Sequence, residues 1–190
     1  TDANGNIYNT LRLGRLCWTK ENLKSTYYDD GLNTSVPIAL IYKADMYPDT
    51  TANLALFGRL YSWYSAMKVP EGDNAAVPVA DEKGYVQGVC PEGWRVPAID
   101  EFQTLNAFSS PELRTPDYWL CPGNNNSDFS AFPGGMYNSA ANSFFYLKGD
   151  AFFWSCSGNT TIGQYVHLMC NCPDLRFNET GKVDGMSIRC

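Results

Sequence analysis

Six short motifs rich in aromatic residues and glycine follow one another along this chain, and they constrain its fold more than any average property does. They are Asp2-Ala3-Asn4-Gly5-Asn6-Ile7-Tyr8, Cys17-Trp18-Thr19-Lys20-Glu21-Asn22-Leu23, Gly58-Arg59-Leu60-Tyr61-Ser62-Trp63, Cys90-Pro91-Glu92-Gly93-Trp94-Arg95-Val96-Pro97, Phe129-Ser130-Ala131-Phe132-Pro133-Gly134-Gly135 and Gly185-Met186-Ser187-Ile188-Arg189-Cys190. Glycine beside a large ring marks a tight turn or a close approach of backbone to a bulky neighbour. None of the six is a catalytic signature. They read as the framework of one extracellular domain spanning residues 1–190.

The 190 residues, 44% of them hydrophobic, suffice for a sizeable core. Charged residues make up 18% and aromatic residues 14%, a surface poor in charge and rich in Tyr, Asn, Ser and Gly, as in secreted binding proteins. The net charge is -6, with 14 basic residues scattered singly, which argues against a nucleic-acid partner because phosphate tracking needs clustered Lys and Arg. No stretch reaches the roughly 20 apolar residues that span a bilayer. The chain begins at Thr1, and the expectation is that a leader has been trimmed from it.

Seven cysteines stand at 17, 90, 121, 156, 170, 172 and 190. Their long spacings fit no zinc pattern and suit disulfides in an oxidising compartment. Seven is odd, so one thiol at least is free or pairs outside the chain. A Cys90–Cys190 bridge is expected, because it ties the end of the chain into the core. A loop of about 100 residues closed in this way contributes on the order of 4–5 kcal/mol in the chain-entropy model.

The local pattern reads as α+β. The first segment reads as a hairpin turned at Asn4-Gly5, with Ile7, Tyr8, Leu11 and Leu13 in the strand that follows, and Gly14-Arg15 makes the next turn before Leu16-Cys17-Trp18. Asn22 to Pro48 reads as an irregular surface excursion. Leu56, Leu60, Trp63, Tyr64 and Met67 recur at helical spacing, which predicts a helix over Leu54–Met67. A loop over 70–88 precedes a short strand at Trp94–Val96. A second helix follows Pro97, with Asp100 and Glu101 in its first turn and Phe102, Leu105 and Phe108 on its buried side. Beyond Ser109 short strands and turns are expected. Ala151–Ser157 pairs with Gln164–Cys170, and Gly185–Cys190 is the closing strand.

The six motifs, in this order, resemble the Fibrobacter succinogenes major paralogous domain family of secreted or surface-exposed bacterial domains. Its text runs DGxxYxTVxIGxQxWMAENL, YGRLYxW, CPxGWxVPxxxEW, GFSALPGG, WWSS and GFSVRC. The counterparts here extend from Asn4 to Cys190, nearly the whole chain. Phe102 stands where the family's helix has Trp, Cys17 precedes the first framework Trp, and Trp154-Ser155-Cys156 replaces the usual WWSS. The resemblance implies a C-type-lectin-like fold, with two helices packed on short, mostly antiparallel strands and long irregular loops. That fold is shared with the sulfatase-modifying, formylglycine-generating enzymes. For function it implies surface or adhesive modules.

Each candidate site has a structural alternative. Tyr118, Trp119 and Tyr137, with Asn124, Asn125 and Asn126, offer a ligand-binding face of rings and amides, and the alternative is packing in the strand-rich half. Asn124, Asn126 and Asp128 concentrate oxygen ligands that suit calcium, yet they are ordinary turn formers and no lectin triplet accompanies them. Cys170 and Cys172, alternate residues of a strand, face the same way and suit a soft ion such as Cu(I); separate disulfides are the alternative. His167, the lone histidine, reads as a strand residue. Trp18, Trp63, Trp94 and Trp154 read as core. These features lead to the expectation of a non-catalytic surface or secreted domain without a cofactor, calcium aside. It binds a glycan or a surface or matrix protein. A structural subunit of a surface assembly or lipoprotein is the alternative, and a copper or thiol redox enzyme the third.

Overall fold

A computed structural model describes residues 1–190. Near the N-terminus the Asp2 carboxylate organises the Asn4-Gly5 turn by accepting from the Asn4 and Asn6 backbone N–H groups, both at 3.0 Å, and from the Tyr8 hydroxyl at 2.6 Å. No strand precedes that turn, so the first hairpin is not at Asn4-Gly5 but one turn later, pairing β1 (Thr10–Leu13) with β2 (Leu16–Thr19), with Leu13 opposite Leu16 across Gly14-Arg15. The segment after it does not stay on the surface. Leu23, Tyr28, Val36 and Tyr42 are buried, and β3 (Ala39–Leu40) pairs with β4 (Leu60–Tyr61).

The helix expected over Leu54–Met67 is two helices with a strand between them: α1 (Thr50–Phe57) and α2 (Trp63–Met67). The cause is Gly58, whose φ of 72° and ψ of -154° lie in a region essentially reserved for glycine. A side chain there would also meet Asn22 and the Leu23 carbonyl at 2.8 Å. Asp49 caps α1 by accepting from Ala52 N–H, and Ser62 caps α2 by accepting from Ser65 N–H. All five residues of α2 are buried, so a helix too short to be stable alone is held by packing.

Residues 70–88 form no helix and no strand ladder. Trp94–Val96 is extended but joins no sheet; Val96 N–H donates to the Val86 carbonyl. The helix after Pro97 is present as α3 (Ile99–Gln103), continued by a 3₁₀ turn over Thr104–Ala107. Phe102 and Leu105 are buried and Phe108 half-buried. A further short helix, α4 (Ser110–Leu113), interrupts the region expected to hold only strands and turns, and Glu112 closes its first turn on the Ser109 N–H and hydroxyl.

The C-terminal half carries β5 (Met136–Asn138) paired with β6 (Ser143–Phe145), then β7 (Asp150–Gly158), β8 (Ile162–Met169) and β9 (Arg176–Gly181) in one antiparallel sheet of order β7-β8-β9. The β7–β8 pair matches expectation, with Trp154 opposite Tyr165. The architecture is therefore α+β, built of small antiparallel sheets and four short helices rather than two.

Strand β7 alternates between two cores. Phe152 and Trp154 join Leu23, Tyr61, Trp63 and Ile188 on one side. Ala151 and Phe153 join Trp18, Phe102, Phe129 and Leu168 on the other. Burial on both faces explains its uninterrupted apolar run. Gly163 on β8 supports this packing, because a Cβ there would lie 2.5 Å from the Trp63 ring.

Gly185–Cys190 is not a ladder strand. It touches three elements through single bridges, Gly185 to Tyr137, Met186 to Tyr61 and Ser187 to Phe153. By bonding to Phe152 and Trp154 it covers the free edge of β7. Cys190 is joined to Cys90, with Cα atoms 5.8 Å apart, and Cys121 to Cys170, with Cα atoms 5.3 Å apart. No helix is long and apolar enough to cross a membrane.

Candidate functional site

The loops between α4 and β7 that carry the predicted ring-and-amide face are unusually strained. Nine residues other than glycine have positive φ, and seven of them, Tyr118, Asn125, Asp128, Ser130, Asn142, Tyr146 and Lys148, fall between 118 and 148. For Tyr and Lys this conformation costs of order 1–3 kcal/mol each and persists only where the surroundings over-determine it. Two segments are stitched together here, since Leu120 N–H donates to the Lys148 carbonyl at 2.8 Å. Tyr118 stands out from the surface, its ring edge-on to Phe57 at 6.1 Å and tilted on Phe132 at 5.9 Å. Leu120 is 72% exposed, and Phe145 and Tyr146 also present their rings.

Trp119 does not belong to this face. It is 5% exposed, its indole N–H donates to the Ala131 carbonyl at 2.9 Å, and the Arg114 guanidinium lies over its ring. The left-handed bend at Tyr118 turns Trp119 inward and leaves Tyr118 and Leu120 on the outside. Tyr137 is half-buried, with its ring 5.1 Å from Phe144 and its hydroxyl donating to Asn142 at 2.7 Å.

The Asn-rich run is occupied with its own turn. Asn124 Oδ1 accepts from Asn126 N–H, and Asn125 Oδ1 accepts from Ser130 N–H. Asn125 donates its amide to the Ser130 hydroxyl at 3.0 Å. Asp128 is ion-paired with Lys20. Asn124, Asn126 and Asp128 are nevertheless solvent-exposed.

Cys170 is bonded to Cys121, so it does not form a thiol pair with Cys172. Cys17, Cys156 and Cys172 are free, and Cys17 is exposed. Burial pushes the Cys156 thiol up to about 11, with Glu101 acting in the same direction. His167 Nε2 lies 2.9 Å from Asp150 Oδ2, and the ring stacks on Phe152 with centroids 4.1 Å apart. The disulfide at Cys170 removes that thiol as a nucleophile beside the histidine.

Trp94 departs from the core reading of the framework tryptophans. Trp18, Trp63 and Trp154 are buried, whereas Trp94 is half-buried and lines a cleft of about 490 Å³ with Arg15, Cys17, Tyr85, Arg95 and Glu101. The Arg95 guanidinium lies 3.8 Å from the Tyr85 ring centroid and is ion-paired with Glu101, a carboxylate that raises its pKa. Tyr85 sits in the 70–88 loop, where no periodic signal singles it out, so tertiary contact with Arg95 is what marks it.

The Fibrobacter succinogenes major domain model matches residues 11–190. The chain belongs to that family. The match takes in five of the six motifs, all but Asp2–Tyr8, and nearly the whole chain. No curated protein and no solved structure matches it significantly.

Proposed function

We propose that this member of the Fibrobacter succinogenes major domain family is a non-catalytic ligand-binding module of the bacterial surface or extracellular space. Its ligand is a glycan or a surface or matrix protein, and its contact face is formed by the loops between Tyr118 and Tyr146. The observation that carries the reading is the concentration of left-handed, non-glycine residues in these loops together with four exposed apolar or aromatic side chains, Tyr118, Leu120, Phe145 and Tyr146. Strain held by a surrounding fold pre-organises a surface and lowers the ordering cost of binding. Aromatic rings with a polar tip suit contacts that are half wet. Two disulfides are in keeping with an oxidising compartment. A C-type-lectin-like arrangement of these elements is part of the same proposal.

A glycan array probed with the purified domain, first with calcium and then with chelator, tests the reading. A specific signal lost in Tyr118→Ala and Tyr146→Ala supports the aromatic face. Loss on chelation adds Asn124, Asn126 and Asp128 as calcium ligands. A blank array, with no surface protein bound by folded domain, ends this reading.

One observation favours a structural role instead. Cys17 is unpaired and exposed on β2, as a thiol for an intermolecular bridge would be. A disulfide-linked species on non-reducing gels that disappears in Cys17→Ser would favour the assembly reading.

A further inference from the structure

Lys182 is the one charged side chain lining a pocket of about 620 Å³ that opens between the 74–80 segment and the turn from β7 to β8. The residue is 2% exposed. No carboxylate lines the pocket, and none of the molecule's ion pairs involves Lys182. An ammonium has three donors, and this one makes a single, long hydrogen bond, to the Thr160 carbonyl at 3.3 Å. It lies over the Trp63 ring at 4.1 Å and near that of Tyr64 at 5.6 Å. Ring faces offset part of the desolvation of a cation, but they accept no conventional hydrogen bond. Burial accordingly holds the ammonium below the ordinary lysine pKa.

The polar side chains around it are biased in the same direction. Asn74 uses its amide oxygen to accept from the Tyr64 hydroxyl, which leaves its NH₂ group unpaired. Asn159 uses its oxygen on Thr161 and Ile162 of the β7–β8 turn, which leaves its NH₂ unpaired as well. Asn74 and Asn159 are exposed at its mouth, so the pocket offers one buried cation and two solvated amide donors free to turn to a ligand, against apolar surface from Trp63, Ala76 and Pro78. A buried charge lacking a partner is costly, and such groups cluster where a ligand completes them. A pocket of this size fits a small molecule.

We propose that this pocket binds a small polyhydroxy carboxylate of the uronic-acid type, its carboxylate paired with the Lys182 ammonium and its hydroxyls accepting from the Asn74 and Asn159 amides. The site is separate from the aromatic loops, since no residue lining it falls between Tyr118 and Tyr146. Failure of the glycan array at those loops leaves it untouched.

The test titrates the protein with glucuronate and galacturonate, against glucose and galactose, by calorimetry and tryptophan fluorescence. The uronates bind at least about tenfold more tightly than the neutral sugars. Lys182→Met abolishes that preference while the protein melts no lower than the parent. Asn159→Asp keeps the oxygen that holds the turn but replaces an amide donor by a negative charge, and it too abolishes uronate binding. This second variant decides the matter should Lys182→Met fail to fold. Equal affinity for acid and neutral sugars, uronate binding that survives Lys182→Met or Asn159→Asp, or no binding of either uronate overturns the proposal.

Discussion

Arg189 and Lys182 are both buried cations near the end of the chain, and neither has a carboxylate partner, yet their surroundings differ in kind. The Arg189 guanidinium is fully enclosed. Its Nε donates to Asn22 Oδ1 at 2.9 Å, Nη1 to the Thr19 and Phe129 carbonyls at 2.7 and 3.1 Å, and Nη2 to the Ser130 carbonyl at 2.6 Å. The rings of Phe129 and Phe153 lie 5.0 and 5.4 Å from it. Burial pulls its pKa down to about 9, which still leaves it charged at neutral pH. Lys182 has one long hydrogen bond and an open pocket beside it. Burial of a charge does not by itself mark a binding site; the number of donors left unserved does. A rigid fork of five donors suits a structural clamp on backbone carbonyls, whereas a compact ammonium is readily left short of partners.

Breaking the clamp produces the largest effect. Arg189→Met leaves the Asn22 amide oxygen and three carbonyls buried without their donor and costs about 4 kcal/mol in chemical denaturation. Arg189→Lys sharpens the point. One ammonium cannot reach four acceptors in fork geometry, so this variant recovers less than half of the loss, leaving about 2–3 kcal/mol. On the other side of the comparison, Lys182→Met changes stability by less than about 1 kcal/mol or raises it, because a desolvated charge is exchanged for an apolar chain of similar length. Equal destabilisation by Arg189→Met and Lys182→Met would abolish the distinction.

The pH dependence offers a smaller and independent check. The Lys182 pKa in the folded protein lies below its unfolded value, so between the two the unfolded chain binds more protons and the Lys182 contribution to stability rises with pH. Any advantage of Lys182→Met over the parent therefore shrinks from pH 7 towards pH 10, read as a converging pair of melting temperatures. The smallest effect concerns the thiol in the same pocket. Cys156 is held up to about 11 by burial and stays protonated at pH 8, so a thiol reagent labels exposed Cys17 well before Cys156. Prior occupation of the pocket by a uronate slows Cys156 further and leaves Cys17 unchanged, as mass spectrometry of the labelled protein would report.

Several local elements were legible because one signal decided each of them. Gly14-Arg15 between short apolar runs indicates the first hairpin, and the Pro97-to-Phe108 pattern indicates α3 with its Phe102 and Leu105 face. A continuous apolar run, a glycine-bounded turn and the alternation of Tyr165, His167 and Met169 after it indicate β7 and β8. The helix over Leu54–Met67 failed for a definite reason. Its apolar spacing is genuine, but Gly58 takes a backbone conformation closed to a helix because the chain passes hard against Asn22 and Leu23. Gly185–Cys190 looks like a strand and is buried like one, yet it divides its bonds among Tyr137, Tyr61 and β7. No local pattern encodes such a split.

The candidate sites were less legible than the fold. Trp119 has the composition of a contact residue and the position of a core residue, a distinction set by Ala131 and Arg114 from elsewhere in the chain. Lys182 sits in Gly181-Lys182-Val183-Asp184-Gly185, two residues from Asp184, and no local pattern there singles it out. The structure commits Asp184 instead to the Ser139 and Thr180 hydroxyls, at 2.8 and 3.0 Å, and turns Lys182 onto Trp63.

By itself the sequence determined the family, the α+β class and the β7–β8 pairing. These follow from short-range periodicity, turn chemistry and the order of motifs, which survive any arrangement of the remaining chain. Tertiary structure alone decided which aromatic residues are walls and which are faces, and which buried cation is satisfied. Both depend on contacts between residues tens of positions apart, where the burial of one group is set by the hydrogen-bonding needs of another.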